Sequence, residues 1–316
     1  MYKRAAALPL LASLVFPVMA DDAKMLPEGV LRTIIAPSQT TVDEVFDDNG
    51  DRQDTASGQI TATTLSLALE YGVNDWITAG LQWAPGYVLS GGVEDNDSVD
   101  LSGANDIFLG AKLSLLGKQG LSPSDNMRFA ITPGIKIPLS TYDAAEERQN
   151  IIDSKDFKTA RTDRGAWGLG ARFAYDYLVT PDFYINVYNQ TSVFLETNQD
   201  YGVDTSTLTA ISDVDVKYGT EAIFEVEPNY TISSGNGIRT SFALPLTYTM
   251  TGETEIDGNG GNDESWDLAV SPFVSVFFTQ WALPMEFQLG YSTALSGESA
   301  KAGNTVSLQV KNYLRF

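Results

Sequence analysis

Cysteine and histidine are both absent from this chain of 316 residues. Without cysteine there is no disulfide framework and no thiolate chemistry. Without histidine the chain lacks the usual proton shuttle near neutral pH and the commonest metal ligand. Hydrolases and acyltransferases that use histidine to activate a serine or a water are excluded. A serine–lysine pair or paired carboxylates could replace histidine, but no spacing singles one out, so we expect a protein that is not an enzyme.

Long apolar runs are also missing. The run at the start, Ala5–Phe16, is shorter than the ~20 residues that a spanning helix needs. It follows Lys3-Arg4 and precedes Val18-Met19-Ala20, which is the pattern of a signal peptide. We expect residues 1–20 to be removed on export and residues 21–316 to form one mature domain. A helical membrane protein is thereby excluded, whereas a secreted soluble protein and an outer-membrane barrel both fit.

Positive charge is scarce. The chain has 20 Lys and Arg residues against 41 Asp and Glu residues, and its formal net charge is -21 at pH 7. Nucleic-acid phosphates require a basic patch, so we expect no nucleic-acid partner. The same acidity argues against docking onto anionic lipid surfaces.

Alternation of apolar and polar residues is what the sequence has in abundance. In residues 64–83, every second residue is large and apolar, and the residues between are small or polar. This pattern is typical of β-strands with one apolar face. It recurs to the last residue and predicts an all-β chain of about twelve strands, with 10 or 14 as alternatives. The predicted strands are 30–37, 60–71, 76–88, 106–116, 127–138, 166–178, 183–195, 214–227, 238–248, 266–278, 284–292 and 305–316.

The apolar face is expected to contact lipid rather than a protein core. The opposite face is rich in Gly, Ala, Ser and Thr with scattered charges, as a wet lumen would be. Aromatic residues gather near strand ends in two belts, with Trp76 and Phe316 in one and Trp83 and Trp167 in the other. Short connections alternate with longer ones, the layout of an outer-membrane barrel. The prediction is therefore a closed antiparallel transmembrane β-barrel rather than a soluble sandwich.

Three prolines fall inside predicted strands, at Pro133, Pro245 and Pro272. A closed barrel has no edge strand at which a missing N–H is harmless. Pro133-Gly134 can be read as a bulge, whereas the other two prolines have no explanation in the sequence.

Two resemblances to known families follow from these strands. The tail "VSLQVKNYLRF" resembles the C-terminal assembly signal of bacterial outer-membrane proteins, although Tyr313 lies one position off the usual aromatic phase. This resemblance implies the barrel assembly machinery as a partner, through Phe316. In addition, "LEYGVNDWITAGLQWAP", "GANDIFLGAKLSLL" and "RFAITPGIKIPL" resemble the (MetA-type) outer-membrane transporter family associated with phenol-degradation pathways. That resemblance covers residues 60–178 and implies a hydrophobic or aromatic substrate.

The lumen is expected to carry charges of both signs. The predicted lumen-facing and constriction residues are Lys112, Arg128, Lys136, Arg172, Lys217, Arg239, Lys311, Glu70, Asp176, Glu221, Glu225 and Glu286. In one interpretation these charges form a transverse field that orients a polar solute. In the other they pair and hold the barrel rigid. Residues 21–29 are a candidate plug.

Most of the Asp and Glu residues lie in the predicted loops. Asp47, Asn49 and Asp51 match the opening ligands of a calcium-binding EF-hand loop, but Arg52 replaces the glycine that such a loop requires. A solvated, mutually repelling loop is the alternative to calcium binding. Residues 148–164 form a long mixed-charge loop that could fold into the barrel mouth.

These features predict an outer-membrane channel that lets a small solute, hydrophobic or aromatic on the resemblance, pass without energy input. The expected partners are outer-membrane lipid, the assembly machinery and that solute. No cofactor is expected, apart from calcium at the acidic loops. The alternative is a structural or adhesive barrel whose acidic outer loops meet cations, lipopolysaccharide or a host surface.

Overall fold

Twelve antiparallel strands close into a barrel. The structure, a computed structural model, describes residues 22–55, 59–93, 97–139, 142–152, 164–204 and 207–316. The predicted signal peptide, residues 1–20, lies outside them. In chain order the strands are β1 Val30–Phe46, β2 Ile60–Asn74, β3 Ile77–Val93, β4 Ile107–Leu116, β5 Met127–Ile137, β6 Gly168–Leu178, β7 Phe183–Phe194, β8 Glu221–Ser234, β9 Ile238–Ala243 with Leu246–Thr251, β10 Ser265–Val270 with Phe273–Phe278, β11 Met285–Glu298 and β12 Ala300–Arg315.

The barrel closes because its last strand pairs with its first. Along β1 and β12, Val30 lies opposite Arg315 and Phe46 lies opposite Ala300. Every other strand pairs with its neighbours in the chain. Closure removes the sheet edges, whose unpaired N–H and C=O groups would be costly in lipid. The predicted closed barrel of twelve strands is confirmed.

The two faces of the wall differ as the alternation predicts. On β2, Ser66, Ala68 and Glu70 are buried inside the barrel, whereas Leu69 and Tyr71 are exposed on its outside. The same division holds on β6, where Arg172 is buried and Phe173 is exposed. The apolar side chains therefore form the outer surface, as contact with hydrocarbon requires.

The strand β8 was predicted at 214–227, but it begins and ends seven residues later, at Glu221 and Ser234. Residues Val214–Lys217 leave the wall and pair with Thr197–Gln199 and Glu255–Ile256 in a small sheet on the long-loop side. Gly219 lies at the break, and a Cβ atom there would be 1.9 Å from a carbonyl oxygen of Gly252. Only glycine permits this approach of two backbones.

The prolines act in two different ways. The strand β5 runs through Pro133 with unbroken register to β6. No register shift occurs there, so the predicted bulge at Pro133-Gly134 is wrong. In contrast, β9 is interrupted at Leu244-Pro245 and β10 at Ser271-Pro272, which explains why these two prolines conflicted with continuous strands.

The long-loop side carries further local structure. It includes the helix α1, Ala144–Ile152, and the short strands Arg52–Asp54, Asp97–Gly103, Gly202–Asp204, Thr209–Ile211 and Asn259–Gly260. Under the small sheet, Phe194 and Tyr218 pack with their rings edge to face, and Ala166 and Val216 complete a buried cluster. One connection on this side is short, since only Ser299 joins β11 to β12.

Among the described residues, no helix has the length and apolar character to cross a membrane.

Candidate functional site: the barrel lumen

The N-terminal segment enters the lumen. We call residues 22–28, which precede β1, the N-terminal plug. Ala23 is buried in a cluster with Ala130 of β5, Ala174 of β6 and Tyr188 of β7. The segment predicted as a candidate plug, 21–29, therefore occupies the interior where it is described, from residue 22 onward.

Polar contacts fix the N-terminal plug to three strands. The Lys112 Nζ donates to the backbone oxygens of Asp22, at 2.8 Å, and Lys24, at 3.4 Å. The Leu26 N–H donates to Thr78 Oγ1 at 3.3 Å. The Ala23 N–H donates to Asp176 Oδ1 at 3.4 Å. Backbone groups of the plug therefore form hydrogen bonds with lumen side chains rather than within a sheet or a helix.

Gly72 makes room for the plug at the short-turn end of the barrel. A Cβ atom on Gly72 would lie 2.1 Å from the carbonyl oxygen of Pro27. The N–H of Gly29 also donates to the oxygen of Gly72 at 2.9 Å. The glycine is therefore needed for a close backbone approach rather than for its turn propensity.

Five of the twelve predicted lumen residues form ion pairs along the wall, between neighbouring strands. Arg32 pairs with Glu70, on β1 and β2. Lys311 Nζ lies 3.2 Å from Glu286 Oε1, on β12 and β11. Arg128 Nε lies 2.9 Å from Asp176 Oδ2, on β5 and β6. Asp176 also accepts a hydrogen bond of 2.7 Å from the Asn186 side chain.

Two polar contacts cross between strands that are not neighbours. Lys136 of β5 reaches Glu221 of β8 at 2.5 Å, and Arg164 contacts the same carboxylate at 2.6 Å. Arg172 of β6 donates to Gln82 of β3 at 2.7 Å. These contacts narrow the lumen, so charge pairing both stiffens the wall and bridges the interior.

Arg172 also lies flat against an aromatic ring. Its guanidinium carbon is 3.9 Å from the centre of the Phe108 ring, a cation–π contact. The ring fits against the wall because Gly110 and Gly134 have no side chains there. A Cβ on Gly134 would come within 2.3 Å of Phe108.

Two carboxylates of β8 differ from the rest. Glu225 and Glu227 face the lumen and are only 3% and 4% exposed. Glu225 Oε2 accepts from Thr247 at 2.7 Å, and Glu227 Oε1 accepts from Asn229 at 3.2 Å. Their other oxygens, Oε1 and Oε2 respectively, have no hydrogen-bond partner in the described part of the chain.

Next to these carboxylates the wall loses hydrogen bonds at one level, which we call the proline seam. It comprises Pro228, Pro245 and Pro272 with their partners on the adjacent strands. Leu244, Ser271 and Tyr291 each donate an N–H to one of these prolines, at 3.2, 2.9 and 3.0 Å. Such pairs normally exchange two bonds, but proline has no N–H to return. Three successive strand interfaces, from β8 to β11, therefore each lack one bond.

Two predicted lumen residues do not line the buried interior of the barrel. Lys217 belongs to the small sheet outside the wall, where it pairs with Glu255 at 3.2 Å, so its assignment to the lumen is wrong. Arg239 shares the lumen face of β9 with Ala243, but it is exposed at the short-turn mouth. The cause for Lys217 is the mistaken start of β8, which counted a loop strand as wall.

Sequence reasoning missed several lumen residues. Glu227 was passed over because it was the last residue of the mispredicted strand. Arg32, Tyr184 and Tyr188 follow the inward phase of their strands and could have been found by that phase alone. Arg164 lies before β6, and burial favours loss of its charge. The Glu221 carboxylate outweighs that effect and raises the pKa of Arg164.

The calcium candidate uses its oxygens locally. Asp47 Oδ1 accepts from the N–H groups of Asn49, at 2.8 Å, and Asp51, at 3.0 Å, and Oδ2 accepts from Gln53 at 2.6 Å. These N–H donors lower the pKa of Asp47. Throughout the described residues, no three Asp or Glu side chains are grouped to hold a metal. Calcium binding stays a prediction, as does an inward fold of 148–164, of which residues 153–163 lie outside the described ranges.

Comparisons with known proteins bear on the fold. No family model matches the chain, and no curated protein matches it. Among solved structures, it is similar to an outer membrane channel from Pseudomonas putida F1. The two share 18% identity and a TM-score of 0.70, covering 95% of this chain and 100% of that one.

Two further solved structures share the barrel only in outline. The β domain of the Bordetella autotransporter BrkA has 8% identity and a TM-score of 0.49, covering 92% of this chain and 100% of that one. A monoaromatic hydrocarbon channel, CymD, has 9% identity and a TM-score of 0.40, covering 92% and 89%. Neither score supports a conclusion about this chain. The similarity to the Pseudomonas putida channel, at a TM-score of 0.70, shows that the chain has the fold of an outer-membrane β-barrel.

Proposed function

We propose that this protein is an outer-membrane channel that lets a small solute pass without energy input. The observation that carries the proposal is a closed wall with apolar side chains outside and a charged interior. An apolar surface of this extent favours contact with lipid rather than water. The exposed Phe316 at the end of β12 fits the proposed role in barrel assembly.

The axial route is narrow. The N-terminal plug enters from the short-turn end, and the contacts of Lys136 and Arg164 with Glu221 bridge the lumen nearer the long loops. Only a small solute, or one that displaces the plug, would pass along the axis. This arrangement supports a selective channel rather than a wide general pore.

The proline seam supports a second route, through the wall. It lies beside Leu244 and Leu246, which are exposed on the lipid side. Parting two strands there breaks fewer hydrogen bonds than elsewhere. A hydrophobic or aromatic solute could then leave sideways into the membrane, which fits the predicted substrate class.

Planar bilayers test the channel. The mature chain is expected to give a small, steady conductance, and deletion of residues 22–28 is expected to raise it. Lys217→Ala, which removes a charge outside the lumen, is the matched control and should leave conductance unchanged. If a folded barrel shows no conductance with or without the plug, the channel proposal fails, and a structural or adhesive role gains support.

A reversible cross-link tests the sideways route. Because the chain has no cysteine, a pair at Leu246→Cys and Val270→Cys, which lie opposite each other, would bond across β9 and β10 beside the seam. Oxidation should slow uptake of a hydrophobic solute into liposomes, and reduction should restore it. The control pair Leu169→Cys and Val193→Cys joins β6 and β7 and should have no effect. Equal effects of both pairs would contradict the route.

A further inference from the structure

Two aromatic and four polar side chains meet on the lumen face of β7 and β8. The register places Tyr188 opposite Glu225, Asn186 opposite Glu227, and Tyr184 opposite Asn229. We call these six residues the acidic–aromatic patch. The patch lies next to the N-terminal plug, because Tyr188 contacts the cluster that holds Ala23.

The patch contains two buried carboxyl groups, Glu225 and Glu227, that have no cationic partner within hydrogen-bond reach in the described chain. Arg32, Arg128 and Lys136 each pair with a carboxylate elsewhere in the lumen. No Lys or Arg of the described residues forms an ion pair with Glu225 or Glu227. Each of these two carboxylates keeps one buried oxygen without a partner. A buried acceptor in this state is costly unless a donor or a positive charge reaches it.

The composition of the patch favours an ammonium group over a metal ion. The described residues contain no group of three acidic side chains that could hold a metal. An ammonium group, in contrast, is recognised by carboxylate oxygens together with aromatic ring faces. Tyr184 and Tyr188 supply the rings, and Glu225 and Glu227 supply the oxygens.

The protein already places an ammonium group at one end of the patch. Lys24 of the N-terminal plug has its Nζ 4.8 Å from the centre of the Tyr184 ring. The same Nζ lies 2.8 Å from Asp22 Oδ2. The chain's own lysine thus shows how an alkylammonium group approaches this wall, while Glu225 and Glu227 keep oxygens that Lys24 does not occupy.

We infer that the acidic–aromatic patch binds the ammonium group of a small organic cation. This inference names a solute class for the proposed channel and rests on that function. The apolar part of such a solute would face the proline seam, because Glu227 directly precedes Pro228. Lys24 would compete with the solute, so binding would be coupled to displacement of the plug.

Binding to the folded chain in detergent micelles tests the inference without requiring transport. Butylammonium chloride is the probe, and 1-butanol and potassium chloride control for the alkyl chain and for ionic strength. Calorimetry should show saturable binding of butylammonium alone. Glu225→Gln and Glu227→Gln should each weaken it by about tenfold or more, because each removes one charge-assisted hydrogen bond.

Asp267→Asn is the matched control. Asp267 lies on the lumen face of β10, two strands from β8, and it belongs to none of the residue pairs that form the patch. This variant removes the same charge and should leave binding unchanged. Lys24→Met should tighten binding, and it provides a test even if a glutamate variant fails to fold.

The outcomes separate this inference from the proposed function. Binding that is absent in the wild type, or equal in all variants, would overturn the patch while leaving conductance data untouched. Saturable binding that depends on Glu225 and Glu227 would support the patch even in a barrel that conducts nothing. In that case the channel proposal alone would fall.

Discussion

The two sides of the barrel wall are built differently. From β1 to β7 every strand is continuous, and the lumen charges Arg32, Arg128 and Asp176 are paired. From β8 to β11 two strands are interrupted, and Glu225 and Glu227 are not in ion pairs among the described residues. Proline occurs on both sides, since Pro133 lies in the continuous β5. The presence of proline alone therefore does not define the side of the wall that lacks hydrogen bonds. That side is defined by the alignment of three prolines on successive strands.

The comparison teaches that one part of the wall binds the N-terminal plug while another part lacks strand–strand hydrogen bonds. The continuous side carries Thr78, Lys112 and Asp176, which bind the N-terminal plug. The interrupted side has fewer ladder bonds and carries the unpaired carboxylates. The residues that bind the plug and the carboxylates without an ion pair thus lie on different sides of the barrel.

The largest contrast should come from removing one carboxylate on each side. Asp176→Ala breaks the buried ion pair with Arg128 and removes the acceptor of Asn186, so a loss of about 3–5 kcal/mol is expected. Glu225→Ala removes a charge with no cationic partner in the described chain and should leave stability unchanged or raised. Thermal unfolding, followed by heat-modifiable gel mobility, measures both. Equal losses would refute the division into two sides.

Displacing the plug should produce the second-largest effect, which is a change in conductance. Gly72→Val places side-chain atoms where the Pro27 carbonyl lies, because even a Cβ atom would come within 2.1 Å of it. We expect conductance close to that of the variant lacking 22–28. Gly80→Ala is the control, since its Cβ would meet the Glu70 side chain at an ordinary 3.7 Å. If Gly72→Val conducts like the wild type, the plug does not control the axial route.

Much of this contrast was accessible from the sequence, because alternation fixes which residues face inward. Lys112, Arg172 and Glu221 were placed correctly by phase alone. Lys217 was not, because the alternation of Val214–Lys217 continues into a loop sheet and no residue pattern marks where the wall begins. Ion-pair partners and the path of residues 22–28 depend on barrel closure, which local sequence does not encode.

The prolines also show what single-strand sequence patterns cannot predict. Pro245 and Pro272 were visible as conflicts with predicted strands. Their alignment with each other and with Pro228 follows from the register of three strand pairs, which single-strand patterns do not determine. The conflict in the sequence thus correctly indicated a structural feature, the interrupted strands, whose nature became visible only in the fold.

Repairing the seam should have a smaller effect. In Pro245→Ala with Pro272→Ala, each alanine can return one N–H to its partner strand, worth about 0.5–1.5 kcal/mol. Loss of the rigid ring offsets roughly 0.4–1 kcal/mol of each gain. Stability should therefore change little, whereas hydrogen exchange should slow at the amides of Ser271 and Tyr291, which donate to residues 245 and 272. Unchanged exchange would show that the missing bonds do not govern opening of this wall.

The smallest effect should come from the loop sheet. Lys217→Ala removes a solvent-exposed ion pair with Glu255, and such pairs contribute about 0.2–1 kcal/mol. Neither the unfolding temperature nor the conductance should change appreciably. Lys136→Ala, which breaks a half-buried contact across the lumen, should alter conductance. A conductance change in Lys217→Ala would show that this lysine lies on the permeation path.

Pairing of β1 with β12 has a kinetic consequence. Thr33 and Asn312, which are hydrogen-bonded across this junction, lie 279 residues apart in the chain. Contacts of such long sequence separation form slowly, because the whole intervening chain must first be ordered. Residues 22–28 precede β1, and Ala23 contacts Asp176 of β6 at a separation of 153 residues, so docking of the plug also depends on long-range contacts. A chain that stalls before β12 reaches β1 would therefore keep the edges of both strands unpaired.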